Sequence, residues 1–247
     1  SCPAGESFFG VCESAALGPE RAKAFHSAVA KLLYVSLRVL PHVGTAVSFL
    51  TTRVTAPTEE DERKLKRVLA YLQTIEDQGI LLPRKGEIRV RAWVDAAFAL
   101  HHANGASHTG AVIALDNAMV CARSTKQKMM AKNSTESELI GLSDRVDDVL
   151  WAHDFLVSQG HDPDPPIVYQ DNMSTIHLVT VGGGKGGRTR HLRARQYAVK
   201  ELVESGELVI EYCPTMEMVA DVLTKPVGGE RFHLLCKSIS HDGRPLA

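Results

Sequence analysis

The sequence predicts an α/β fold in which a mixed five-stranded sheet packs against helices and follows a helical N-terminal extension. Two observations carry this prediction. Apolar residues recur at spacings of three and four over residues 21–80, which is typical of amphipathic helices. After residue 86, three strand-like runs come first, and helices then alternate with two further strands. Hairpin strands followed by alternating elements are typical of a mixed sheet with helices against it.

The extension is predicted to contain several helices. Pro41 starts a second helical segment, because proline is tolerated in a first turn but not inside a helix. Thr58 precedes three acids, which indicates an N-cap with acids in the first turn. Gly79 is predicted as the C-terminal stop of that helix. Residues 1–20 show no clear period and are predicted to be a loose segment.

The sheet is predicted from short patterned runs. Residues 88–95 alternate apolar and polar side chains with the period of a strand, and Asp95 ends that strand. Two further strands are predicted at 108–116 and 119–124, joined by a turn. The later elements are a helix over 134–159, a strand at 167–169, helices over 172–181 and 188–205, a strand over 208–212, and a last helix from Thr215 to Pro226.

Net charge, the length of apolar runs and the number of cysteines limit the classes of protein to which the chain can belong. The chain has 247 residues, with 28 Lys and Arg against 29 Asp and Glu, so its net charge of −1 excludes a uniformly basic nucleic-acid coat but not a local basic patch. The sequence shows neither a signal peptide nor an apolar run long enough for a membrane helix. Its 5 scattered cysteines indicate a reducing compartment, so we expect a cytoplasmic, intracellular location.

Acidic residues stand where the patterns of the predicted elements break. Asp95 closes the first strand, Asp171 follows the buried strand, and Asp221 lies in the last helix. A fourth candidate comes from the long helix. At 100° per residue Glu138 lies at the edge of the apolar stripe, so helical geometry weakly favours it and leaves Glu136 open.

Such a set of acids predicts a metal centre if the side chains converge. Crowded carboxylates raise one another's pKa, so their clustering is costly unless a cation lies among them. Hard oxygen ligands select Mg²⁺ or Mn²⁺, and two such ions can promote hydrolysis of a phosphodiester. The alternative is that Asp171 is a helix N-cap, Asp95 a solvated strand end and Asp221 a surface charge.

Nine short pieces occur in one order over residues 88–235: Val94-Asp-Ala-Ala-Phe-Ala, Ser107-His-Thr-Gly, Ser124-Thr-Lys-Gln-Lys, Ser134-Thr-Glu-Ser-Glu-Leu, Val149-Leu-Trp, Val168-Tyr-Gln-Asp-Asn, Arg188-Thr-Arg-His, Glu211-Tyr-Cys-Pro-Thr and Ala220-Asp-Val-Leu-Thr-Lys-Pro. In this ordered set the chain resembles the ribonuclease H domain at the C-terminal end of copia-type retrotransposon Pol polyproteins. Residues 21–80 resemble the tail of the reverse transcriptase before it, through Leu32-Leu-Tyr, Thr58-Glu-Glu and Leu65-Lys-Arg-Val-Leu-Ala-Tyr-Leu.

The resemblance implies a ribonuclease H-like fold over residues 86–240, with helices on both faces of the sheet, and a reverse-transcriptase connection over 21–80. It implies an endonuclease that hydrolyses the RNA strand of RNA–DNA hybrids during reverse transcription. The family's catalytic, metal-binding acids carry over onto Asp95, Glu138, Asp171 and Asp221. The implied cofactor is Mg²⁺, as two ions, with Mn²⁺ as a substitute. The implied partners are the hybrid and the upstream palm region of the same polyprotein.

The chain departs from the family pattern at three places. Residues 207–220 contain no histidine before the last aspartate, Met173 stands where a glutamine is usual, and the loop over 182–187 is unusually rich in glycine. His191 is the histidine nearest to a family position, and its role stays open. These departures bear on rate and substrate handling more than on the type of reaction.

Basic and polar side chains are predicted to hold the nucleic acid. Residues 182–200 contain six basic residues and no acid, and a second basic stretch precedes the long helix. Such side chains contact phosphates without reading sequence, and polar groups can contact the 2′-OH of RNA. The alternative is a solvated helix face. The predicted binding residues are Lys126, Lys128, Asn133, Ser134, Thr135, Asn172, Lys185, Arg188, Arg190, His191 and Arg193.

Two other functions stay open at this point. The domain could be a non-catalytic module that holds template and primer for a reverse transcriptase, in which case it would bind hybrid without cleaving it. It could also be another nuclease or an integrase on the same fold, in which case it would cleave duplex DNA.

Overall fold

The structure is a computed structural model that describes residues 2–75, 79–80, 82, 88–116, 118–182 and 190–240. Its N-terminal extension contains α1 (Pro19–Arg38), a 3₁₀ turn (Pro41–Val43), α2 (Gly44–Thr51) and α3 (Glu59–Leu72). The predicted helical region is therefore confirmed, and Pro41 starts the turn that leads into α2. The predicted stop at Gly79 is wrong, because α3 ends seven residues earlier at Leu72.

The start of α3 shows how the local sequence fixes a helix end. The Thr58 hydroxyl accepts a hydrogen bond from the Asp61 backbone N–H, and the Asp61 carboxylate accepts one from the Thr58 N–H at 2.9 Å. This reciprocal capping satisfies two backbone donors that the helix leaves free. Arg53 pairs with the same carboxylate at 3.1 Å. The predicted N-cap is confirmed.

The first residues are packed, which differs from the predicted loose segment. Glu6–Phe9 form a 3₁₀ turn, and the Phe8 and Phe9 side chains are buried. The Phe9 ring meets the Phe49 ring of α2 edge to face, with their centroids 5.1 Å apart. One short turn with two anchoring rings has no period for a sequence pattern to reveal.

The sheet has five strands: β1 (Val90–His101), β2 (Ala106–Leu115), β3 (Ala118–Lys126), β4 (Ile167–Gln170) and β5 (Val209–Tyr212). Their order is β3-β2-β1-β4-β5. Strand β2 is antiparallel to both β1 and β3, whereas β4 is parallel to both β1 and β5. The predicted mixed five-stranded sheet is confirmed. The prediction that Asp95 ends the first strand is wrong, because β1 continues to His101.

Five helices follow or separate these strands: α4 (Ser134–Ser158), α5 (Met173–Thr180), α6 (Arg190–Glu204), α7 (Asp221–Thr224) and α8 (Gly229–Ser240). The predicted last helix from Thr215 to Pro226 is wrong: this stretch forms a 3₁₀ turn and the four-residue α7. Helix α8, which begins after Pro226, was not predicted. Within the described ranges, no helix has both the length and the apolar character needed to cross a bilayer.

Helices cover both faces of the sheet, as predicted. Successive side chains of a regular strand point to opposite faces, and β1 follows this rule. Val90, Ala92 and Val94 pack in the core beneath α4 and α6, whereas Trp93 packs in the core on the other face. That second core also contains apolar side chains of α1, α2, α3, α7 and α8. The extension and the C-terminal helices therefore share one core with the sheet.

Candidate metal centre

Three acids from distant parts of the chain meet at one edge of the sheet. Asp95 of β1, Glu138 of α4 and Asp171 after β4 each offer a carboxylate oxygen, and these oxygens lie within 4.8 Å of one another. Strands β1 and β4 are parallel and pair Trp93 with Tyr169. Asp95 and Asp171 each follow that pair by two residues, so both carboxylates reach the same edge.

Helix α4 brings Glu138 to the strands because Gly141 permits a close approach. A Cβ atom on Gly141 would lie 3.2 Å from the Thr109 side chain and 3.4 Å from Ala96 Cβ. Glu138 and Glu136 have different roles. Glu138 lies with Asp95 and Asp171 in what we call the acid cluster. Glu136 lies outside it, and its Oε2 accepts a hydrogen bond of 2.9 Å from the Lys132 backbone N–H at the start of α4.

Gln170 fixes the position of Glu138. Its amide nitrogen donates a hydrogen bond of 3.3 Å to Glu138 Oε2, and its amide oxygen accepts one of 3.0 Å from the Asn172 backbone N–H. Gln170 is fully buried at the end of β4. It therefore links α4 to the turn that carries Asp171.

Burial and like charge raise the pKa values of the clustered carboxyls. Burial raises the pKa of Asp95 to about 7, and the nearby Asp221 carboxylate adds to this shift while Lys225 opposes it. Burial, followed by the charges of Asp95 and Asp171, raises the pKa of Glu138 well above its usual range. Both side chains are nearly inaccessible, with 3% and 4% exposure for Asp95 and Glu138. The ionised forms of these buried acids are therefore unfavourable without added positive charge.

Asp221, the fourth predicted acid, lies beside Asp95 as the first residue of α7 and is fully buried. Gly110 lets α7 approach, because it pairs with Asp95 across β1 and β2 and has no side chain. A Cβ atom there would lie 2.6 Å from the Thr224 methyl group and 2.7 Å from the Ala220 carbonyl oxygen. Thr224 can then donate a hydrogen bond to Asp95 Oδ2.

Two basic side chains pair with Asp221. Lys225 Nζ lies 2.6 Å from Asp221 Oδ1 and 3.8 Å from Asp95 Oδ2, and Arg231 of α8 donates a hydrogen bond to Asp221 Oδ2. Burial lowers the pKa of Lys225, but Asp95 and Asp221 outweigh it and raise the pKa above its ordinary value. Asp221 is therefore neutralised by the protein itself, unlike Glu138.

A series of hydrogen-bonded polar groups, buried or half-buried, connects β1, β2 and β3 to α7. Ser124 donates a hydrogen bond of 2.8 Å to the Leu223 carbonyl oxygen, and His108 Nε2 lies 2.8 Å from the Ser124 oxygen. His101 Nε2 lies 3.0 Å from His108 Nδ1. Because Ser124 uses its proton on Leu223, His108 donates to Ser124 and accepts from His101, so the His108 ring is neutral. Burial lowers the pKa of His101 to about 4 and that of His108 to about 3.

The donor set fits a hard divalent cation. Asp95, Glu138 and Asp171 supply carboxylate oxygens, the ligands that Mg²⁺ and Mn²⁺ prefer. The raised pKa values of Asp95 and Glu138 show that these carboxyls resist ionisation without a counter-charge. A bound cation would supply that charge, so the three residues could hold a metal ion.

The predicted nucleic-acid-binding residues lie in three places. Asn133, Ser134 and Thr135 start α4 and Asn172 caps α5, so these four flank the acid cluster. The amide oxygens of Asn133 and Asn172 accept backbone hydrogen bonds from Glu136 and Thr175. Arg190, His191 and Arg193 are exposed on α6. Lys185 and Arg188 lie outside the described residues.

Lys126 and Lys128 line an open cavity of about 680 Å³ beside the edge strand β3. Thr51 of α2 and Arg195 of α6 line it as well, so the extension contributes one of its walls. Arg195 pairs with Asp144 of α4. The lining of the cavity contains more basic than acidic side chains.

Several residues of the site were missed by the sequence analysis. Thr224 and Lys225 follow Asp221 by three and four residues, a spacing that could have drawn attention to them. Gln170 is a polar side chain at the end of an apolar run next to Asp171, which is also a usable signal. Arg231 left no local signal, because α8 itself was not predicted.

Known proteins similar to the chain include plant transposon polyproteins, whereas no family model matches it. The chain is 27% identical over 216 residues to the retrovirus-related Pol polyprotein from transposon RE1 of Arabidopsis thaliana, covering 87% of this chain and 15% of that protein. It is 27% identical over 215 residues to the corresponding polyprotein from transposon TNT 1-94 of Nicotiana tabacum, covering 87% and 16%. The chain thus spans less than a fifth of these relatives' length.

A shorter relative is matched over most of its own length. The chain is 31% identical over 125 residues to secreted RxLR effector protein 161 of Plasmopara viticola, covering 51% of this chain and 88% of that protein.

The solved structures that match the chain share little sequence with it. A ribonuclease H1 isolated from compost matches with 16% identity and a TM-score of 0.42, covering 56% of this chain and 93% of that one. A foamy viral protease-reverse transcriptase in complex with an RNA/DNA hybrid matches with 13% identity and a TM-score of 0.49, covering 85% and 26%.

The sequence matches extend across both the helical extension and the sheet, since they cover 87% of the chain. The chain belongs to the same family as the Plasmopara protein, of which it covers 88% at 31% identity. It is also similar to the retrovirus-related Pol polyproteins of the two plant transposons.

Proposed function

We propose that this chain is a metal-dependent endonuclease of the ribonuclease H type, which hydrolyses the RNA strand of RNA–DNA hybrids during retrotransposon reverse transcription. The observation that carries the proposal is the convergence of Asp95, Glu138 and Asp171, whose carboxylate oxygens lie within 4.8 Å of one another. These residues come from three separate elements, and burial makes their clustering unfavourable without a cation. The relationship to Pol polyproteins supports the same reaction.

In this proposal Asp95, Glu138, Asp171 and Asp221 are the catalytic, metal-binding residues, and the cofactor is Mg²⁺, as two ions. When bound, Mg²⁺ supplies Lewis-acid activation of a water molecule and stabilises charge on the phosphodiester. The protein's part is to hold the carboxylates. Gln170 orients Glu138, and Thr224 orients Asp95, through the hydrogen bonds described above.

The substrate would be held by the side chains around this cluster. Asn172 directly follows Asp171, and Asn133, Ser134 and Thr135 lie in the turn of α4 before Glu138, so we expect these four residues to contact the strand being cut. Arg190, His191 and Arg193 on α6, together with Lys126 and Lys128 beside β3, would contact phosphates. Lys185 and Arg188 belong to the same proposed surface by sequence.

We extend the proposal to the organisation of the chain. Residues 86–240 would be the nuclease domain, and residues 21–80 the connection to the palm region of a reverse transcriptase. The palm region and the hybrid are the partners in this proposal. The shared core of extension and sheet supports a connection that is built into the nuclease domain rather than tethered to it.

A labelled RNA–DNA hybrid in Mg²⁺ tests the proposal. The wild-type chain should cut the RNA strand, and Asp171→Asn should reduce the rate at least about a hundredfold by removing one ligand charge. Asp147→Asn is the matched control, because Asp147 is exposed on α4 and away from the cluster. Equal cleavage by wild type and Asp171→Asn would refute the site.

The same assay separates the alternatives. Binding of the hybrid by a folded chain with no cleavage in Mg²⁺ or Mn²⁺ would indicate a module that only holds template and primer. Cleavage of duplex DNA at a rate equal to that of the hybrid would indicate another nuclease on this fold.

A further inference from the structure

The Lys225 ammonium group lies between the acid cluster and Asp221. Its Nζ atom lies 2.6 Å from Asp221 Oδ1 and 3.8 Å from Asp95 Oδ2, so a single ammonium group faces two buried carboxylates. Asp95 belongs at the same time to the group that includes Glu138 and Asp171. The ammonium group therefore borders the candidate metal centre on one side.

The two sides of Asp95 differ in how their charge is balanced. On one side, Glu138 and Asp171 face Asp95 across 4.8 Å or less, and the described basic side chains make no ion pair with either of them. On the other side, Asp221 has Lys225 on one oxygen and Arg231 on the other. Lys225 favours the ionised form of Glu138 as well, but only from beyond ion-pair distance. A divalent cation approaching Glu138 and Asp171 therefore meets carboxylates without a direct ion pair among the described residues, whereas one approaching Asp221 meets two basic side chains in contact with it.

We propose that Lys225 is a built-in counter-cation, which balances Asp95 and Asp221 in the metal-free protein and must withdraw before these two carboxylates can share a second divalent cation. This inference rests on the proposed function and deepens it. It predicts that cations bind in order. The side of Glu138 and Asp171 fills first, and the side of Asp221 fills more weakly because Lys225 competes for it.

The structure allows Lys225 to withdraw. Its side chain is 37% exposed, although both of its partners are buried. A lysine side chain has a flexible stem and can carry its ammonium group into solvent. Arg231 would continue to hold the second oxygen of Asp221, so withdrawal does not leave that carboxylate unpartnered. Lys225 is therefore a positioning residue and is assigned no contact with substrate.

Titration of the full chain with Mn²⁺, followed by calorimetry and by the signal of free Mn²⁺ in electron paramagnetic resonance, tests the order. Wild type should show one tighter and one weaker site. Lys225→Met should tighten the weaker site by about tenfold or more and change the tighter site less. Lys225→Arg, which keeps the charge, should retain the wild-type pattern. Lys23→Met is the control, because Lys23 is exposed on α1.

A measurement on the unmodified chain makes the test independent of how the variants fold. The side-chain nitrogen resonance of Lys225, observed by NMR in ¹⁵N-lysine-labelled protein, should shift more with the second equivalent of Mg²⁺ than with the first, because the ammonium group leaves its ion pairs only in the second step. The resonance is assigned with Lys225→Arg.

The outcomes separate the two proposals. Two sites with unchanged affinities in Lys225→Met, or a Lys225 resonance that does not respond to Mg²⁺, would overturn the role of Lys225 and leave the metal centre standing. Wild-type protein that binds no Mn²⁺ would overturn the metal centre itself.

Discussion

The Gln170 amide donates a hydrogen bond of 3.3 Å to the Glu138 carboxylate, which joins the end of β4 to the start of α4 across 32 residues of chain. The same side chain accepts the Asn172 backbone N–H at 3.0 Å. One buried amide thus sets the distance between two of the clustered acids, and its removal should disturb both.

Gln170→Leu is expected to destabilise the protein and slow cleavage. It leaves the half-buried Asn172 backbone N–H without its acceptor, which costs about 1 kcal/mol, and it releases Glu138. Urea unfolding should show the loss of stability, and hybrid cleavage in Mg²⁺ should fall by about tenfold or more. Gln159→Leu, at the exposed end of α4, is the control and should change neither quantity. Wild-type values for Gln170→Leu would contradict the role of the amide.

Gly110→Ala is expected to push α7 away from the sheet. The added Cβ atom would lie 2.6 Å from the Thr224 methyl group and 2.7 Å from the Ala220 carbonyl oxygen, so the backbone of α7 must shift. Overpacking of this kind costs about 1–3 kcal/mol, and the hydrogen bond from Thr224 to Asp95 would weaken. Thermal unfolding and cleavage assays measure the two effects. Gly228→Ala should be tolerated, because nothing lies within 4 Å of its Cβ position. Equal behaviour of the two variants would contradict the close approach.

Asp95→Asn is expected to abolish cleavage and yet stabilise the metal-free protein at alkaline pH. The pKa of Asp95 is raised to about 7 in the folded state, above its unfolded value of 3.8. Its contribution to stability is therefore fully present below pH 3.8 and is lost as the pH rises through 7. Unfolding in EDTA should show Asp95→Asn more stable than wild type by about 1–3 kcal/mol at pH 8, and by much less at pH 5. An equal difference at both pH values would contradict the shift.

The buried histidines should destabilise the fold in acid. Their folded pKa values of about 4 for His101 and about 3 for His108 lie below the usual 6.5, so their contribution is fully present above pH 6.5 and is lost as the pH falls towards those values. Because each ring stays neutral in the folded state at pH 5 but becomes protonated in the unfolded state, each should lower the free energy of unfolding by about 2 kcal/mol relative to pH 7.5. His108→Phe should lower stability at pH 7.5 by removing the bonds to His101 and Ser124, but should flatten the dependence on pH between 7 and 5. An unchanged slope would count against the neutral pair.

Phe9→Ala tests whether the first residues belong to the core. Phe9 is 1% exposed and packs against Phe49, His101 and His108. Its truncation should cost about 3–5 kcal/mol in chemical unfolding. Val11→Ala is the control, because Val11 is 45% exposed and should contribute little. If the Phe9→Ala variant were as stable as the control, the N-terminal segment would not be part of the core.

Much of the fold follows from local pattern. The periods of two and of about 3.6 locate the five strands, α4 and the extension, because each of these elements buries one face over many residues. The four acids stood out because each interrupts such a pattern, and Asp95, Glu138 and Asp171 do lie together. Helix geometry also favoured Glu138 over Glu136, which agrees with their positions.

The remaining features of the fold and site could not be predicted from local sequence patterns, because they depend on contacts between distant segments. Helix α7 has four residues, too few for a period, and its position depends on the absence of a side chain at Gly110. Lys225 and Arg231 gain their roles by facing a buried Asp221, and burial of a single aspartate leaves no mark in a sequence. The packed N-terminal rings are likewise visible only once Phe49 is in place.

The Thr45 hydroxyl of α2 donates a hydrogen bond of 2.6 Å to the Val222 carbonyl oxygen of α7. A residue of the extension thereby braces the short helix that carries Asp221, and apolar side chains of both regions fill one core with Trp93. A recombination event that removed residues 1–80 would expose one face of the sheet and take away a support of α7 at the same time. The extension and the sheet therefore form one folding unit, although they are separate stretches of sequence.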